Sequence, residues 1–153
     1  MFMLIIVTGS PGSGKTEVAK EIAKKYNLKY LDVNKLIKKE KLSCGYDSKR
    51  ECKIVDVGKL KRVLVGIIKK DKNLVIDSHL SHYLDKKYVD LCVVVKCDLG
   101  VLKKRLEKRG YGKEKIRDNL DAEIFDICLV EALENKHKVK VIDTTKGLKD
   151  LKI

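Results

Sequence analysis

Eight consecutive residues, Gly9-Ser10-Pro11-Gly12-Ser13-Gly14-Lys15-Thr16, satisfy the spacing G-x-x-x-x-G-K-[S/T] in full. Each residue type in that run has a chemical use. Glycines let successive main-chain N–H groups turn inward as an anion nest. A helix starting near Lys15 adds the positive end of its dipole. Lys15 then reaches the terminal phosphates of a nucleoside triphosphate, and the Thr16 hydroxyl ligates Mg²⁺. Gly12, Ser13, Gly14, Lys15, Thr16 and Glu17 are therefore the expected nucleotide-binding run, with ATP and Mg²⁺ as cofactors.

A metal-side acid is expected at the end of a parallel strand, and Leu74-Val75-Ile76-Asp77 supplies one. Asp77 is read as holding Mg²⁺ through a water, the alternative being a plain helix cap. His79 follows two residues later. It either orients an attacking water or acceptor, or is a polar surface residue. Thirty lysines and five arginines make each arginine informative, because only the planar guanidinium donates in bidentate fashion to phosphoryl oxygens. Arg105 and Arg109, four apart, share a helix face just before Gly110-Tyr111-Gly112, which suits either a hinged lid over the phosphates or a solvated helix end. Arg50, with Tyr46, Asp47 and Asp56 nearby, is either the acceptor pocket or a solvated loop.

Positioning these residues requires alternating strands and helices. The apolar pattern predicts strands at Met3–Thr8, Tyr30–Val33, Leu74–Asp77, Leu91–Lys96 and Lys138–Asp143. It predicts helices over Thr16–Tyr26, Asn34–Lys41, Val57–Lys69 and Val101–Lys108, and one long helix over Lys115–Glu134. Ser43–Lys53 reads as polar and irregular. Short strands joined by helical crossovers imply one α/β domain over residues 1–153, with a five-stranded parallel sheet covered on both faces. The five cysteines have no C-x-x-C spacing, which argues against a disulfide framework or a zinc site and favours a reducing compartment, the cytoplasm. Met1–Val7 is too short to span a bilayer and runs straight into the glycine-rich loop, so neither a leader nor a membrane anchor is expected. The net charge of +13 fits either a lysine-rich solvated surface, as in thermophile compositions, or a nucleic-acid partner.

Further motifs carry a family resemblance over nearly the whole chain. They are Gly45-Tyr46-Asp47 with Cys52, Ile54 and Asp56; the D-x-H element Asp77-Ser78-His79; Arg105-Leu106-Glu107-Lys108-Arg109-Gly110-Tyr111; and Asp118-Asn119, Glu123-Ile124 and Glu131-Ala132. The chain thereby resembles the adenylate kinase 6 group of nucleoside-monophosphate-kinase-like ATPases, which act in small-ribosomal-subunit maturation. The resemblance implies a three-layer α/β/α P-loop fold, a monophosphate-binding segment over 34–56 and a short lid over 109–118. It implies phosphoryl transfer from ATP to AMP or a related monophosphate, ATPase activity that depends on His79, and binding of ribosomal protein uS11 with transient contact to pre-ribosomal RNA. By position, Asn34, Tyr46, Asp47, Arg50 and Asp56 become acceptor-side candidates, and the loop containing Lys146 becomes the adenine side. The family pattern differs at Ser78, where an aromatic is common, at Leu80 and Ser81, and at Ala122, where Cys is frequent. The longer C-terminal helix of some relatives is absent. A nucleotide-gated assembly switch and a kinase for another small metabolite, such as shikimate or dephospho-coenzyme A, remain open.

Overall fold

The structure is a computed structural model and describes residues 3–49 and 52–148. Its centre is β1 (Leu4–Gly9), LIIVTG, buried along its whole length. Continuous burial explains why it lacks polar alternation: both faces of a parallel strand are covered. The other strands are β2 (Lys29–Asp32), β3 (Ser43–Asp47), β4 (Cys52–Val55), β5 (Leu74–Asp77), β6 (Leu91–Lys96) and β7 (Val139–Asp143). The helices are α1 (Lys15–Tyr26), α2 (Val33–Lys39), α3 (Val57–Lys70), α4 (Leu99–Lys108), α5 (Lys113–Ile124) and α6 (Ile127–Glu134). The main sheet is parallel, in the order β2-β5-β1-β6-β7.

Alternate residues of the central strands feed two cores. Leu4, Ile6, Leu74, Ile76, Cys92 and Val94 pack with α2, α3 and Ala132 of α6. Ile5, Val7, Val75, Val93 and Val95 pack with Val18, Ala19, Ile22 and Ala23 of α1. Truncating a fully buried residue such as Ile6 to alanine costs about 2–5 kcal/mol. The register sets Asp32 beside Asp77 across β2 and β5, and Gly9 beside Val95 across β1 and β6, so the reactive residues gather at the strands' carboxyl ends. At the far edge, β7 pairs with β6 alone among the described residues; Lys140 within it and Lys138 just before it are exposed.

Three predicted elements need correction. Ser43–Lys53 is not irregular: Ser43–Asp47 and Cys52–Val55 form an antiparallel hairpin with a register shift between Ser43 and Gly45. The ladder is a main-chain one, and the exposed, polar side chains of β3 gave no alternation to reveal it. The long helix over 115–134 is two helices. Asp126 adopts φ +52°, a left-handed conformation that ends α5 and starts α6. Lys96, at the end of β6, pairs with Asp126 and with Glu123 Oε1, the latter at 2.6 Å, and pins the corner to the sheet. Val33, expected in a strand, opens α2 behind an Asp32 cap whose carboxylate accepts from the Asn34 N–H at 2.9 Å.

Candidate active site

The turn between β1 and α1 is shaped by glycine. A Cβ on Gly9 would stand 2.6 Å from the Val95 carbonyl oxygen and 2.8 Å from Ser13 Oγ, so the chain can pass there only without a side chain. Gly14, at φ +95°, lies just ahead of α1 and turns the backbone into the helix. Ser13 N–H donates to the Ser10 carbonyl at 3.0 Å, closing the loop on itself. The Ser13 hydroxyl is buried and has no hydrogen-bond partner.

Beside this loop lies an open cleft of about 710 Å³, lined by Gly12, Gly14, Lys15, Thr16, Arg105 and Arg109 with Thr144, Gly147 and Leu148 from the segment after β7. Its size suits a nucleotide. Glu17 and Lys20, one turn into α1, complete the rim. Burial lowers the Lys15 pKa; the Asp77 charge opposes that shift and the Arg109 guanidinium adds to it.

Beneath Lys15, the Thr16 hydroxyl donates to Asp77 Oδ2 at 2.7 Å, and the Tyr30 hydroxyl donates to the same oxygen at 2.6 Å. Asp77 is buried, and its other oxygen, Oδ1, has no hydrogen-bond partner. A buried carboxylate oxygen left without a donor beside a threonine hydroxyl is an oxygen-only donor set, which fits Mg²⁺. No cluster of three or more His, Cys, Asp or Glu suited to a metal occurs among the described residues. Burial and donation to Asp77 raise the Tyr30 phenol pKa, so Tyr30 acts as a donor. Sequence reasoning missed Tyr30, because only the β2–β5 pairing brings it to Asp77.

His79 follows Asp77 with an exposed ring, yet it is crowded by protein atoms and stands near Lys15. Crowding, then the Lys15 and His82 charges, push its pKa down to about 4. Solvent access weakens the burial contribution, but the repulsion from Lys15 acts in the same direction, so the imidazole is neutral at pH 7. The segment carrying His79 is tied down on both sides. Ser78 N–H donates to the Val7 carbonyl at 3.1 Å, and the Ser81 hydroxyl contacts the carbonyls of Val7 and Ser78. Buried His82 bridges the Thr8 hydroxyl at 2.8 Å and Glu131 at 3.0 Å.

The two arginines differ. Arg105 bonds to the Gly12 carbonyl at 3.3 Å, the Thr144 hydroxyl at 3.1 Å and the Thr144 carbonyl at 2.9 Å. The Thr144 hydroxyl in turn donates to the Ser13 carbonyl. Arg105 thus clamps the phosphate loop to the chain leaving β7, rather than swinging with a lid. Arg109 caps the end of α4 ahead of Gly110 at φ +80° and faces the cleft. The expected lid over 109–118 is a short turn running into α5, with Tyr111 packed on the cluster of Cys97, Leu102, Leu106 and Ile116. Lys146 is exposed in the turn after Thr144; its neighbours Thr144, Gly147 and Leu148 line the cleft instead.

The acceptor-side candidates do not converge on this cleft. Asn34 is exposed in the first turn of α2, and Tyr46 is 62% exposed on β3. Asp47 Oδ1 accepts from the Lys49 N–H at 3.0 Å. Asp56 caps α3 through the Lys59 N–H at 3.1 Å. Arg50 lies outside the described residues.

Fold and site together define a P-loop kinase-type phosphotransferase. An AAA domain family model matches residues 5–126. A Methanocaldococcus jannaschii protein named "Putative adenylate kinase" is 38% identical over 143 residues, covering 94% of this chain and 77% of that protein. "Adenylate kinase isoenzyme 6 homolog" of Dictyostelium discoideum is 36% identical over 138 residues, covering 90% and 78%. Among solved structures, the shikimate kinase of Acinetobacter baumannii in complex with shikimate superposes with a TM-score of 0.62 at 16% identity, covering 92% of this chain and 83% of that one; at that identity the likeness concerns the fold. The chain belongs to the adenylate kinase isoenzyme 6-type family. No helix among the described residues is long and apolar enough to cross a membrane.

Proposed function

We propose that the protein transfers the γ-phosphate of ATP to AMP or a related nucleoside monophosphate, and also hydrolyses ATP. The observation that supports this most is the convergence of Thr16, Tyr30 and Asp77 under the phosphate loop, with an orphan carboxylate oxygen beside the Lys15 cleft. The main-chain nest, Lys15 and Arg109 hold the phosphate chain, and Arg105 keeps the cleft wall in place. Mg²⁺, held by Thr16 and Asp77, would neutralise charge on the phosphate oxygens. An acceptor phosphate is already anionic, so alignment carries the reaction without a general base. Asn34, Tyr46, Asp47, Arg50 and Asp56 belong to the acceptor side, and Lys146 to the adenine side. His79, neutral at pH 7, is able to accept a hydrogen bond from water, which supports hydrolysis when no acceptor is bound.

The family resemblance extends this to a cytoplasmic role in small-subunit maturation through uS11, with contact to pre-ribosomal RNA. The neutral His79 beside Lys15 favours a second reading, a nucleotide-gated assembly switch in which hydrolysis is the working reaction. The deciding experiment is an ADP-production assay with ATP alone, with each common monophosphate, and with shikimate and dephospho-coenzyme A. Stimulation by AMP supports the kinase, and its absence leaves the switch. Lys15→Ala abolishes both activities, a loss of at least about 10³-fold. His79→Gly lowers hydrolysis more than transfer; equal losses remove its special role.

A further inference from the structure

The corner between α5 and α6 does not line the phosphate cleft, although Asp126 and Ile127 meet Gly9 and Ser10 behind the phosphate loop, and it is of a different surface type. Ten large hydrophobic residues are exposed among the described residues, and five of them fall within one short stretch: Ile124, Phe125, Ile127, Val130 and Leu133. Phe125 is 69% exposed, at the point where Asp126 breaks the helix. Ile127 and Val130 are one turn apart on α6, with Leu133 a further turn on, so they form a continuous apolar ridge. Isolated exposed apolar side chains are ordinary, but a contiguous group with an aromatic at its tip marks a contact surface.

Charge indicates what covers it. Residues 118–135 contain six carboxylates, and all 35 Lys and Arg of this +13 chain lie outside them. Glu123, Asp126 and Glu131 are engaged with Lys96 and His82. Asp118, Asp121 and Glu134 are exposed beside the ridge. An anionic membrane is repelled by such a rim. A second copy meeting the same face would set carboxylates against carboxylates. A cationic partner is attracted by the rim and buries its own apolar side chains on the ridge.

We propose that the α5–α6 corner is a docking face for a basic amphipathic segment of another protein, with Phe125 as the apolar anchor and Asp121 and Glu134 as the charged rim. This reading does not rest on the identity of the acceptor nucleotide, and the face shares no residue with the phosphate cleft.

The probe is a fluorescein-labelled helical peptide of alternating Lys and Leu faces, followed by anisotropy at moderate salt. Two controls accompany it, a Glu/Leu peptide of the same pattern and a Lys/Ser peptide of the same charge. The Lys/Leu peptide is expected to bind wild-type protein at least about tenfold more tightly than either control. Phe125→Ser with Val130→Ser should weaken it about tenfold, and Asp121→Lys with Glu134→Lys should do the same, with ATPase activity and melting temperature kept in both. The charge-reversal pair touches no buried residue, so it stays informative if the serine pair folds poorly. Equal affinity of both variants for the peptide overturns the proposal. So does patch-dependent binding to phosphatidylglycerol vesicles. Concentration-dependent dimerisation in sedimentation that the serine pair abolishes also overturns it, and assigns the face to a second copy.

Discussion

The phosphate side and the acceptor side of this molecule are held by different means. On the phosphate side, Arg105, Thr144 and Ser13 connect three separated stretches of chain, and Thr16 and Tyr30 both donate to one oxygen of Asp77. These are long-range bonds made by the chain's own residues. On the acceptor side, the Asp32 and Asp56 carboxylates bond two and three residues along the chain, and among the described residues the β3–β4 hairpin forms a sheet of its own. A lone hairpin carries little stability of its own. The contrast teaches that the triphosphate cleft is preorganised by tertiary structure, whereas the acceptor segment is organised locally.

Substitutions can break that contrast, starting with the largest effect. Arg105→Ala removes three charge-assisted hydrogen bonds, each worth about 1.5–3 kcal/mol. It should raise the KM for ATP by about tenfold or more, while the KM for AMP changes little. If both rise together in steady-state kinetics, the two sides are not separately built. Tyr30→Phe deletes one of the two donors to Asp77 Oδ2, an effect of about 1 kcal/mol or roughly fivefold. It should appear as a weaker Mg²⁺ dependence of ATP binding in calorimetry, and an unchanged Mg²⁺ titration would remove Tyr30 from the site. Tyr46→Ala, at an exposed position, should shift stability by no more than about 0.5 kcal/mol. It should raise the KM for AMP alone; a loss of ATP affinity would tie the hairpin to the phosphate side.

The smallest effect concerns pH. Burial lowers the His82 pKa, with Glu131 opposing, so the unfolded chain takes up this proton first. The native state is then fully favoured at pH above the ordinary histidine value and loses stability as pH falls below about 6.5. Urea unfolding at pH 7.5 and 5.5 should show that loss in wild-type protein and a smaller one in His82→Gln.

Sequence legibility followed the same divide. The phosphate loop, Asp77 and the five parallel strands could be read because a local motif and buried apolar runs encode them. Tyr30 could not, since its role arises from the pairing of β2 with β5, a contact between distant parts of the chain. The break at Asp126 was hidden because 115–134 keeps a helical pattern throughout, and the anchor that bends it, Lys96, comes from β6. Arg105 was read with Arg109 as part of a lid or a solvated helix end for a related reason: their spacing is visible in sequence, while the Arg105 partners Gly12 and Thr144 are not. Asp56 was read as an acceptor-side candidate, and its capping of α3 was not visible because a helix cap and a ligand contact call for the same residue type.

The margin of β7, unpaired among the described residues, has a consequence for behaviour in concentrated solution. A strand bonded along one side offers its other row of amides and carbonyls to any passing chain. Lys138 and Lys140 place ammonium groups along that margin, so an incoming strand would have to strip them of water and crowd its own cations beside them. These two lysines therefore disfavour the addition of another strand at that margin.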